Sequence, residues 1–168
     1  MPYEIVEGDL LECDDRYIVH QCNCVTTSGA GIARAIFDRF PWADVYSERR
    51  GMTLPLSGHE PGKIIVRGNG DDQRFVINLF GQRNGGGMGE RGGGDDEIAR
   101  RWMFMRGLKR ILQISEDLVS IGFPWKIGCG IAGGDWEGFY ERALQAFAIE
   151  AERKRGAIVR VHRLPDSA

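Results

Sequence analysis

The chain has 168 residues, a formal net charge of −2 and 27% charged residues, which is the composition of an ordinary globular protein. This length suits one domain with a well-buried core and is short for two. No block of like charges is present, so the composition excludes a basic footprint for duplex nucleic acid. No apolar run approaches the roughly 18 residues of a membrane span, and the N-terminus lacks a signal pattern. We therefore expect a single cytoplasmic domain over residues 1–168 with no membrane partner.

Apolar runs in the first half of the chain predict strands that flank a helix. A turn at Gly8-Asp9 separates two short apolar segments near the N-terminus. The helix is expected to break at Pro41, because proline cannot continue the helical hydrogen-bond pattern. The predicted elements are a strand over 17–22, a helix over 31–40, a short helix over 42–49, and paired strands over 63–67 and 74–80.

The second half of the chain predicts two long helices and two further strands. Residues 85–94 hold seven glycines in ten positions, which predicts a mobile surface loop. Asp95 and Asp135 are predicted helix N-caps, and strands are predicted over 118–123 and 157–161. Strands that alternate with helices predict a three-layer α/β domain with a largely buried sheet. The apolar face predicted for the first of these helices consists of Ile98, Trp102, Met105, Leu108, Ile111 and Leu112.

Two glycine-rich turns are the strongest functional signal, since each stands between a predicted strand and a predicted helix. Small side chains let backbone N–H groups approach a ligand closely, and a helix N-terminus adds partial positive charge. Two such turns indicate two phosphate cradles, and hence a diphosphate or a nucleotide ligand. The first turn is Ser28-Gly29-Ala30-Gly31-Ile32-Ala33, and the second is Gly128-Cys129-Gly130-Ile131-Ala132-Gly133-Gly134-Asp135.

Two other interpretations of these turns are open. The second turn spells G-x-G-x-x-G, but a dinucleotide-binding fingerprint belongs in the first βαβ unit, with an acidic residue about 20 positions on at the end of the next strand. Here the corresponding position lies near a predicted helix end at Lys154, which argues against a dinucleotide-dependent redox enzyme. Alternatively, both clusters are tight turns without a ligand. Their shared place at strand-to-helix junctions favours ligand binding.

Asn23 and Asp9 are candidate ligand contacts, because each follows a predicted strand and leads into a turn. The Asn23 amide could reach a sugar hydroxyl, and the Asp9 carboxylate could accept hydrogen bonds from a base or a sugar. In the alternative interpretation, Asn23 only stabilises its own turn through an Asx contact. Asp9 would then be a solvated turn residue.

The four cysteines are interpreted as reduced, small, buried apolar residues. A metal site is the alternative, because His20, Cys22 and Cys24 would point to one face of a strand. Cys129 would be the fourth ligand of such a site. The C-x-x-C spacing of structural zinc sites is absent, so we expect neither a metal nor an organic cofactor.

Four segments of the chain match one known family in order. They are Gly8-Asp9-Leu10, then His20-Gln21-Cys22-Asn23-Cys24 entering the first glycine turn, then Ile77-Asn78-Leu79-Phe80-Gly81-Gln82, and finally the segment from Lys126 to Glu137. Together they resemble the macrodomain family of ADP-ribose-binding modules, and the last segment is the most specific. Within that family the resemblance is to the branch that includes ADP-ribose-1″-phosphate phosphatases and terminal ADP-ribose glutamate hydrolases, with many bacterial and phage members.

The resemblance implies a three-layer α/β/α macrodomain-like sandwich with a mixed, mostly parallel central sheet. It implies that Asp9 binds the adenine amino group and that Asn23 contacts the distal ribose. The Gly29–Ile32 turn would wrap the diphosphate and the distal ribose, and the Gly128–Gly134 loop would hold the phosphates through its backbone amides. Phe80 would line the pocket, with a core position as the alternative. The implied ligand-binding residues are Gly8, Asp9, Leu10, Asn23, Ser28, Gly29, Ala30, Gly31, Ile32, Phe80, Gly128, Cys129, Gly130, Ile131, Ala132 and Gly133.

Departures from the family pattern bear on catalysis. The family commonly has asparagine at the position of His20 and an aspartate at the position of Ala33. The members that cleave glutamate esters use a lysine near the position of Gln82 and an aspartate at that of Ala132. A lysine-adduct mechanism is therefore not expected here.

His20, Asn23 and Asp135 are the candidate catalytic residues for hydrolysis of ADP-ribose 1″-phosphate or related ADP-ribosyl derivatives. Asp135 or His20 would orient or deprotonate a water, and backbone amides would stabilise the developing charge. An imidazole with a pKa of about 6.5 suits a proton carrier at neutral pH. In the alternative interpretation, His20 is a buried strand residue and Asp135 a helix cap. The competing function is a non-catalytic reader of ADP-ribose or of ADP-ribosylated protein or nucleic acid.

Overall fold

A six-stranded sheet forms the centre of the fold in the computed structural model, which describes residues 3–70, 74–87, 95–129 and 132–165. Its strands are β1 (Tyr3–Glu7), β2 (Tyr17–Cys22), β3 (Ile64–Gly68), β4 (Phe75–Phe80), β5 (Ser120–Pro124) and β6 (Ile158–Arg163). They are arranged in the order β1-β6-β5-β2-β4-β3. All neighbours are parallel except β3, which pairs antiparallel with β4 at one edge.

Helices cover both faces of this sheet. Side chains alternate between the faces along β2, so Ile18 packs with Ile36 on one side and Val19 packs with Phe104 and Leu144 on the other. The three-layer α/β/α architecture and the mixed, mostly parallel sheet are therefore confirmed. None of the helices in the described ranges combines the length and apolarity that a membrane crossing requires. The helices are α1 (Gly31–Arg39) on the first face and α2 (Glu97–Ile111) and α3 (Glu141–Arg155) on the second.

The carboxyl ends of the parallel strands meet at one edge of the sheet. A short 3-10 helix, Leu10–Glu12, follows β1 there, and the loop after β2 leads into α1. The loop after β5 leads into a π-helical turn, Trp136–Tyr140, which continues as α3. Because these connections converge at the same edge, segments far apart in sequence can border a common site.

Most of the strand and helix predictions are confirmed, β2 with its bounds as predicted. The predicted helix over 42–49 is wrong: two 3-10 turns, Pro41–Ala43 and Ser47–Arg49, occupy this region. Between them the Asp44 carboxylate accepts a hydrogen bond from the Ser47 backbone N–H at 3.0 Å. Such local side-chain contacts compete with regular helix.

The buried face of α2 differs in part from the predicted one, because only Leu108 and Ile111 of the six predicted residues are buried. Ile98, Trp102 and Met105 are exposed, with 78%, 53% and 37% of their surface accessible. Instead, Gly107 of the helix faces the sheet. A Cβ at this position would lie only 2.5 Å from Cγ of Leu79, so a larger residue would not fit. The N-cap of α2 is Asp96, one residue after the predicted Asp95. Asp95 instead forms a buried ion pair with Arg100. The residues of α2 that are buried are Arg100, Met103, Phe104, Gly107, Leu108 and Ile111.

Candidate functional site

A cleft of about 600 Å³ opens at the carboxyl edge of the sheet. Ala30 and Gly31 of the first glycine turn border it, as does Gly128 of the second. The loop after β1 contributes Asp9 at one end. This volume lies within the range typical of small-molecule sites. The two turns, far apart in sequence, thus face one shared space.

The predicted ligand-binding residues divide into four groups. Those that border the cleft are Asp9, Leu10, Asn23, Ser28, Ala30, Gly31, Ile32, Gly128 and Ala132. Gly8, Gly29, Cys129 and Gly133 belong to the same connections but are not among its lining residues. Gly130 and Ile131 lie outside the described residues. Phe80 is fully buried and stacks on the ring of His59 at 5.3 Å, so it occupies the core, and a pocket position for it is wrong.

The N-terminus of α1 is open toward the cleft. Its N-cap is Ala30, which has extended backbone angles and no side chain able to accept from the first-turn amides. By contrast, Asp96 caps α2 and Asp135 caps the turn before α3. Gly29 permits the tight approach, since a Cβ there would lie 2.8 Å from the backbone nitrogen of Arg34. Unsatisfied first-turn N–H groups with a helix dipole behind them form a site for an anion.

Asn23 combines a turn contact with a position in the cleft. Its Oδ1 accepts hydrogen bonds from the backbone nitrogens of Val25 at 3.0 Å and Thr26 at 2.9 Å, so the Asx turn is present. Its Nδ2 lies on the side of Gly85, where a Cβ would stand 3.4 Å from it. The acceptor atom of Asn23 is therefore engaged within its own turn, and the side chain borders the cleft.

A buried arginine holds this loop from beneath. Arg49 is 1% exposed, and its Nη2 donates to the carbonyl of Asn23 at 2.6 Å while its Nη1 donates to that of Thr26 at 2.9 Å. Its Nε donates to Nδ1 of His59 at 2.9 Å. Burial and the Arg49 charge lower the pKa of His59, which keeps that imidazole neutral and able to accept. The guanidinium also lies 4.5 Å from the ring centre of Tyr46, a residue of the cleft.

The Arg49→Lys substitution is expected to lower the free energy of unfolding by about 2 kcal/mol. Lysine keeps the charge but cannot donate in a planar fork to two carbonyls and an imidazole at once. Urea denaturation measures the effect. Arg50→Lys is the matched control, because Arg50 is exposed and its substitution should change stability by less than about 0.5 kcal/mol. Equal values for the two variants would contradict the role assigned to Arg49.

A second buried arginine holds the opposite wall. Arg100 pairs with Asp95 at 3.3 Å, with both side chains 2% exposed. Its guanidinium donates to the carbonyls of Gly86 at 3.0 Å and Ala132 at 3.3 Å, which joins the loop after β4 to the second glycine turn. At the start of the loop predicted to be mobile over 85–94, the carbonyl of Gly87 also accepts from Arg100, at 3.2 Å. Residues 88–94 of that loop lie outside the described residues.

Asp135 lies beside the cleft rather than in it. It belongs to a neighbouring depression of about 250 Å³ that shares Lys126 with the cleft. One carboxylate oxygen accepts from the backbone nitrogen of Gly138 at 2.9 Å, so the predicted cap is confirmed. The other lies 3.9 Å from a guanidinium nitrogen of Arg101. Lys126 itself has a left-handed backbone, with φ of 58°, a conformation that non-glycine residues adopt rarely.

His20 lies in the core and does not border the cleft. It is fully buried, and its Nε2 donates to Oδ1 of Asn78 on β4 at 2.7 Å. Burial lowers the pKa of His20 to about 4, so the imidazole is neutral at physiological pH. This placement argues against His20 as a proton carrier. Of the metal set considered from sequence, Cys22 Sγ lies 3.4 Å from Nε2 of His20, but Cys24 donates to the carbonyl of Gln82 and Cys129 to that of Ile127. Within the described residues, this set does not form a group with metal-ligand spacing.

Comparison with solved structures finds this fold elsewhere. The macrodomain of Mycobacterium tuberculosis DarG is 24% identical, with a TM-score of 0.68, and the match covers 98% of each chain. Thermosipho africanus DarTG in complex with ADP-ribose is 17% identical (TM-score 0.64; 98% of this chain, 43% of that chain). A Trypanosoma brucei macrodomain in complex with ADP-ribose is 16% identical (TM-score 0.63; 96% and 63%). No protein-family model and no curated protein matches the chain.

The chain has the macrodomain fold. At the end of its cleft near Asp9, the fold brings together a histidine and a carboxylate that sequence reasoning missed. His162 of β6 borders the cleft, and its Nε2 donates to Oδ2 of Asp15 at 2.5 Å. Although burial opposes the charge, hydrogen bonds with Asp15 and Cys13 raise the pKa of His162 to about 9. Burial likewise opposes the Asp15 charge, but hydrogen bonds from His162 and Arg160 prevail and lower the pKa of Asp15.

The His162–Asp15 pair predicts that stability falls in mildly alkaline solution. A histidine whose pKa is about 9 when folded and about 6.5 when unfolded stabilises the fold fully below about pH 6.5. That contribution, roughly 3 kcal/mol, decreases above this pH and is lost as the pH passes 9. Urea denaturation in the presence of a chelator at pH 6, 8 and about 9.5 would measure the decline. The decline should be absent in His162→Gln, and an identical decline in that variant would contradict the assignment.

Other cleft residues that the macrodomain fold supplies were also missed. Gln82 accepts from Nε2 of Gln21 at 2.8 Å and donates to the carbonyl of Asn84 at 2.7 Å. Both glutamines border the cleft, as does Lys126. Their positions inside or beside the matching segments were an available signal. No such signal existed in the sequence for Arg49 or Arg100, because most of their partners are backbone carbonyls more than ten residues away.

Proposed function

We propose that the protein binds ADP-ribose in this cleft. The observation that carries the proposal is that the uncapped N-terminus of α1 and the Gly128 turn border one space of ligand size. Structural neighbours that contain ADP-ribose support it. In the proposed complex the first-turn amides of α1 bind the diphosphate, Asp9 binds the adenine and Nδ2 of Asn23 donates to the distal ribose.

Titration calorimetry with ADP-ribose, ADP and NAD tests this proposal before any question of turnover. We expect the tightest binding for ADP-ribose, because it alone among the three offers both a diphosphate and an unsubstituted distal ribose. The Asn23→Ala substitution should weaken the binding of ADP-ribose more than the binding of ADP, since the proposed Asn23 contact is to the distal sugar. Binding of none of the three ligands by the folded protein would refute the proposal.

Hydrolysis of ADP-ribose 1″-phosphate or a related ADP-ribosyl derivative is the second candidate function. Asp135 supports it, because its carboxylate lies in the depression that shares Lys126 with the cleft. A substituent on the distal ribose that extended past Lys126 would approach this carboxylate, which could orient a water. Two features instead favour a non-catalytic reader of ADP-ribosylated protein or nucleic acid. His20 is buried, and the chain has Gln82 near the position where the glutamate-ester-cleaving members of the resembled family have a lysine.

Phosphate release from ADP-ribose 1″-phosphate separates these two functions. If Asp135 acts on water, Asp135→Ser should lose turnover and retain ADP-ribose binding, because serine still caps the helix but lacks the carboxylate. Asp96→Ser is the matched control, since Asp96 caps α2 away from the cleft. Binding of ADP-ribose without phosphate release above a blank would leave the reader function.

A further inference from the structure

Three potential metal ligands meet beneath the Asp9 end of the cleft. One ligand atom each from Cys13, Asp15 and His162 lies within 4.8 Å of the other two. The first two residues come from the segment between β1 and β2, and the third comes from β6. Asp15 and His162 are 1% and 7% exposed, so this is an internal cluster rather than a group of surface acids.

The surrounding backbone leaves space for this cluster. Gly122 of β5 lies directly under it, and a Cβ on Gly122 would stand 2.6 Å from Oδ2 of Asp15 and 3.2 Å from Nε2 of His162. Only a residue without a side chain therefore accommodates both groups. The other carboxylate oxygen, Oδ1, accepts from Arg160 at 2.5 Å, which fixes the carboxylate with Oδ2 directed toward the histidine.

We propose that Cys13, Asp15 and His162 form a binding site for a divalent transition metal, with Zn²⁺ the best match. Thiolate, imidazole and carboxylate are the three ligand types that zinc takes in proteins. Tetrahedral zinc holds its ligands at about 2.0–2.3 Å, so the Nε2–Oδ2 pair, now 2.5 Å apart, would separate by roughly 1 Å. Three protein ligands leave a fourth position for water or a ligand.

Charge and outer contacts agree with this assignment. On metal binding, the Cys13 thiol and Nε2 of His162 would each release a proton to solvent. The Cys13 thiolate and the Asp15 carboxylate together would then offset the charge of a divalent ion. Arg160 then acts as the outer-shell partner of the carboxylate, since metal-bound carboxylates are commonly hydrogen-bonded through their other oxygen. Arg74 lies 3.6 Å from the Cys13 sulfur and also donates to the Cys13 carbonyl, which holds the residue in place.

Metal binding would join the segment that carries Asp9 and Leu10 to β6. Both residues border the cleft, as does His162, so the metal would fix one end of the ligand site. The metal site does not depend on what binds in the cleft, because Cys13, Asp15 and His162 are close together whatever the cleft holds.

Cobalt titration of the chelator-treated full chain tests the proposal. Co²⁺ bound to a thiolate gives a charge-transfer band in the near ultraviolet, which binding to oxygen or nitrogen alone does not. We expect one equivalent of Co²⁺ to produce this band and Zn²⁺ to displace it. Cys13→Ser should abolish the band and lower the affinity for the metal by at least about 100-fold, which exceeds the usual effect of changing an outer-shell residue. Cys129→Ser, a cysteine of comparable partial burial, should leave both unchanged.

Two further measurements guard against misfolding of the Cys13 variant. His162→Gln should also lower the affinity for Zn²⁺ by about 100-fold, and circular dichroism would confirm that this variant is folded. In the wild-type protein, Zn²⁺ should protect Cys13 from alkylation, as mapped by mass spectrometry. A wild-type titration without the charge-transfer band, or a band that persists in Cys13→Ser, would overturn the proposal.

Discussion

Replacing Ala30 with aspartate is expected to abolish ADP-ribose binding while making the protein more stable. Ala30 has the extended backbone of an N-cap, so an aspartate there would accept from the open amides of α1 and gain about 1 kcal/mol. The same carboxylate would occupy the proposed diphosphate site and repel the ligand. Calorimetry should show affinity at least about 100-fold weaker, which is about 2.7 kcal/mol of binding free energy.

The neutral Ala30→Asn variant isolates the effect of charge. Asparagine caps a helix about as well as aspartate, so its gain in unfolding free energy should be similar. Its affinity for ADP-ribose should lie between those of the wild type and Ala30→Asp, because it competes for the amides without repelling phosphate. Wild-type affinity in Ala30→Asp would show that the ligand does not use the start of α1.

Replacing Arg100 with methionine is expected to lower the free energy of unfolding by about 4 kcal/mol. Methionine fills much of the space but leaves the Asp95 carboxylate buried without its ion pair, and the carbonyls of Gly86 and Ala132 lose their donor. The loss of stability should appear as a lower midpoint in urea denaturation. The loop after β4 and the second glycine turn should exchange their amide hydrogens faster.

Two variants serve as controls for this prediction. Arg101→Met removes a partly exposed arginine paired with Glu97 and should lower the free energy of unfolding by less than about 1 kcal/mol. The double variant Asp95→Asn, Arg100→Met removes the orphaned charge and should recover part of the stability. A loss below about 1 kcal/mol in Arg100→Met would contradict the role of the pair.

The features predicted correctly from sequence depend on local information. The apolar run of β2 specifies a buried strand, and the glycines of the two turns specify where backbone amides can approach a ligand. Family resemblance then supplied the mixed, mostly parallel character of the sheet, whereas the order of its strands is known only from the structure. Asp9, Asn23 and Gly128 were placed at the cleft because they follow strands whose carboxyl ends meet.

The features missed depend on contacts between distant segments. The sequence left His20 either catalytic or buried in its strand, and the partner that decides for burial, Asn78 on β4, is not revealed by any pattern within β2. The face of α2 that packs on the sheet is the one where Gly107 contacts Leu79. This contact is not visible in the apolar spacing of the helix, which predicted a different face. Arg49 resembles any surface arginine in sequence, although its partners are backbone carbonyls beneath the cleft.

The parallel pairing of β1 and β6 has a practical consequence for fusion and immobilisation. Tyr3 lies opposite Val159, so the chain enters at the edge of the sheet away from the cleft, whereas Leu164, just past β6, borders the cleft. An affinity tag or sensor-chip linker joined after Pro165 would therefore start at the mouth of the cleft. A tag joined ahead of Tyr3 would start at the far edge and leave the mouth unobstructed.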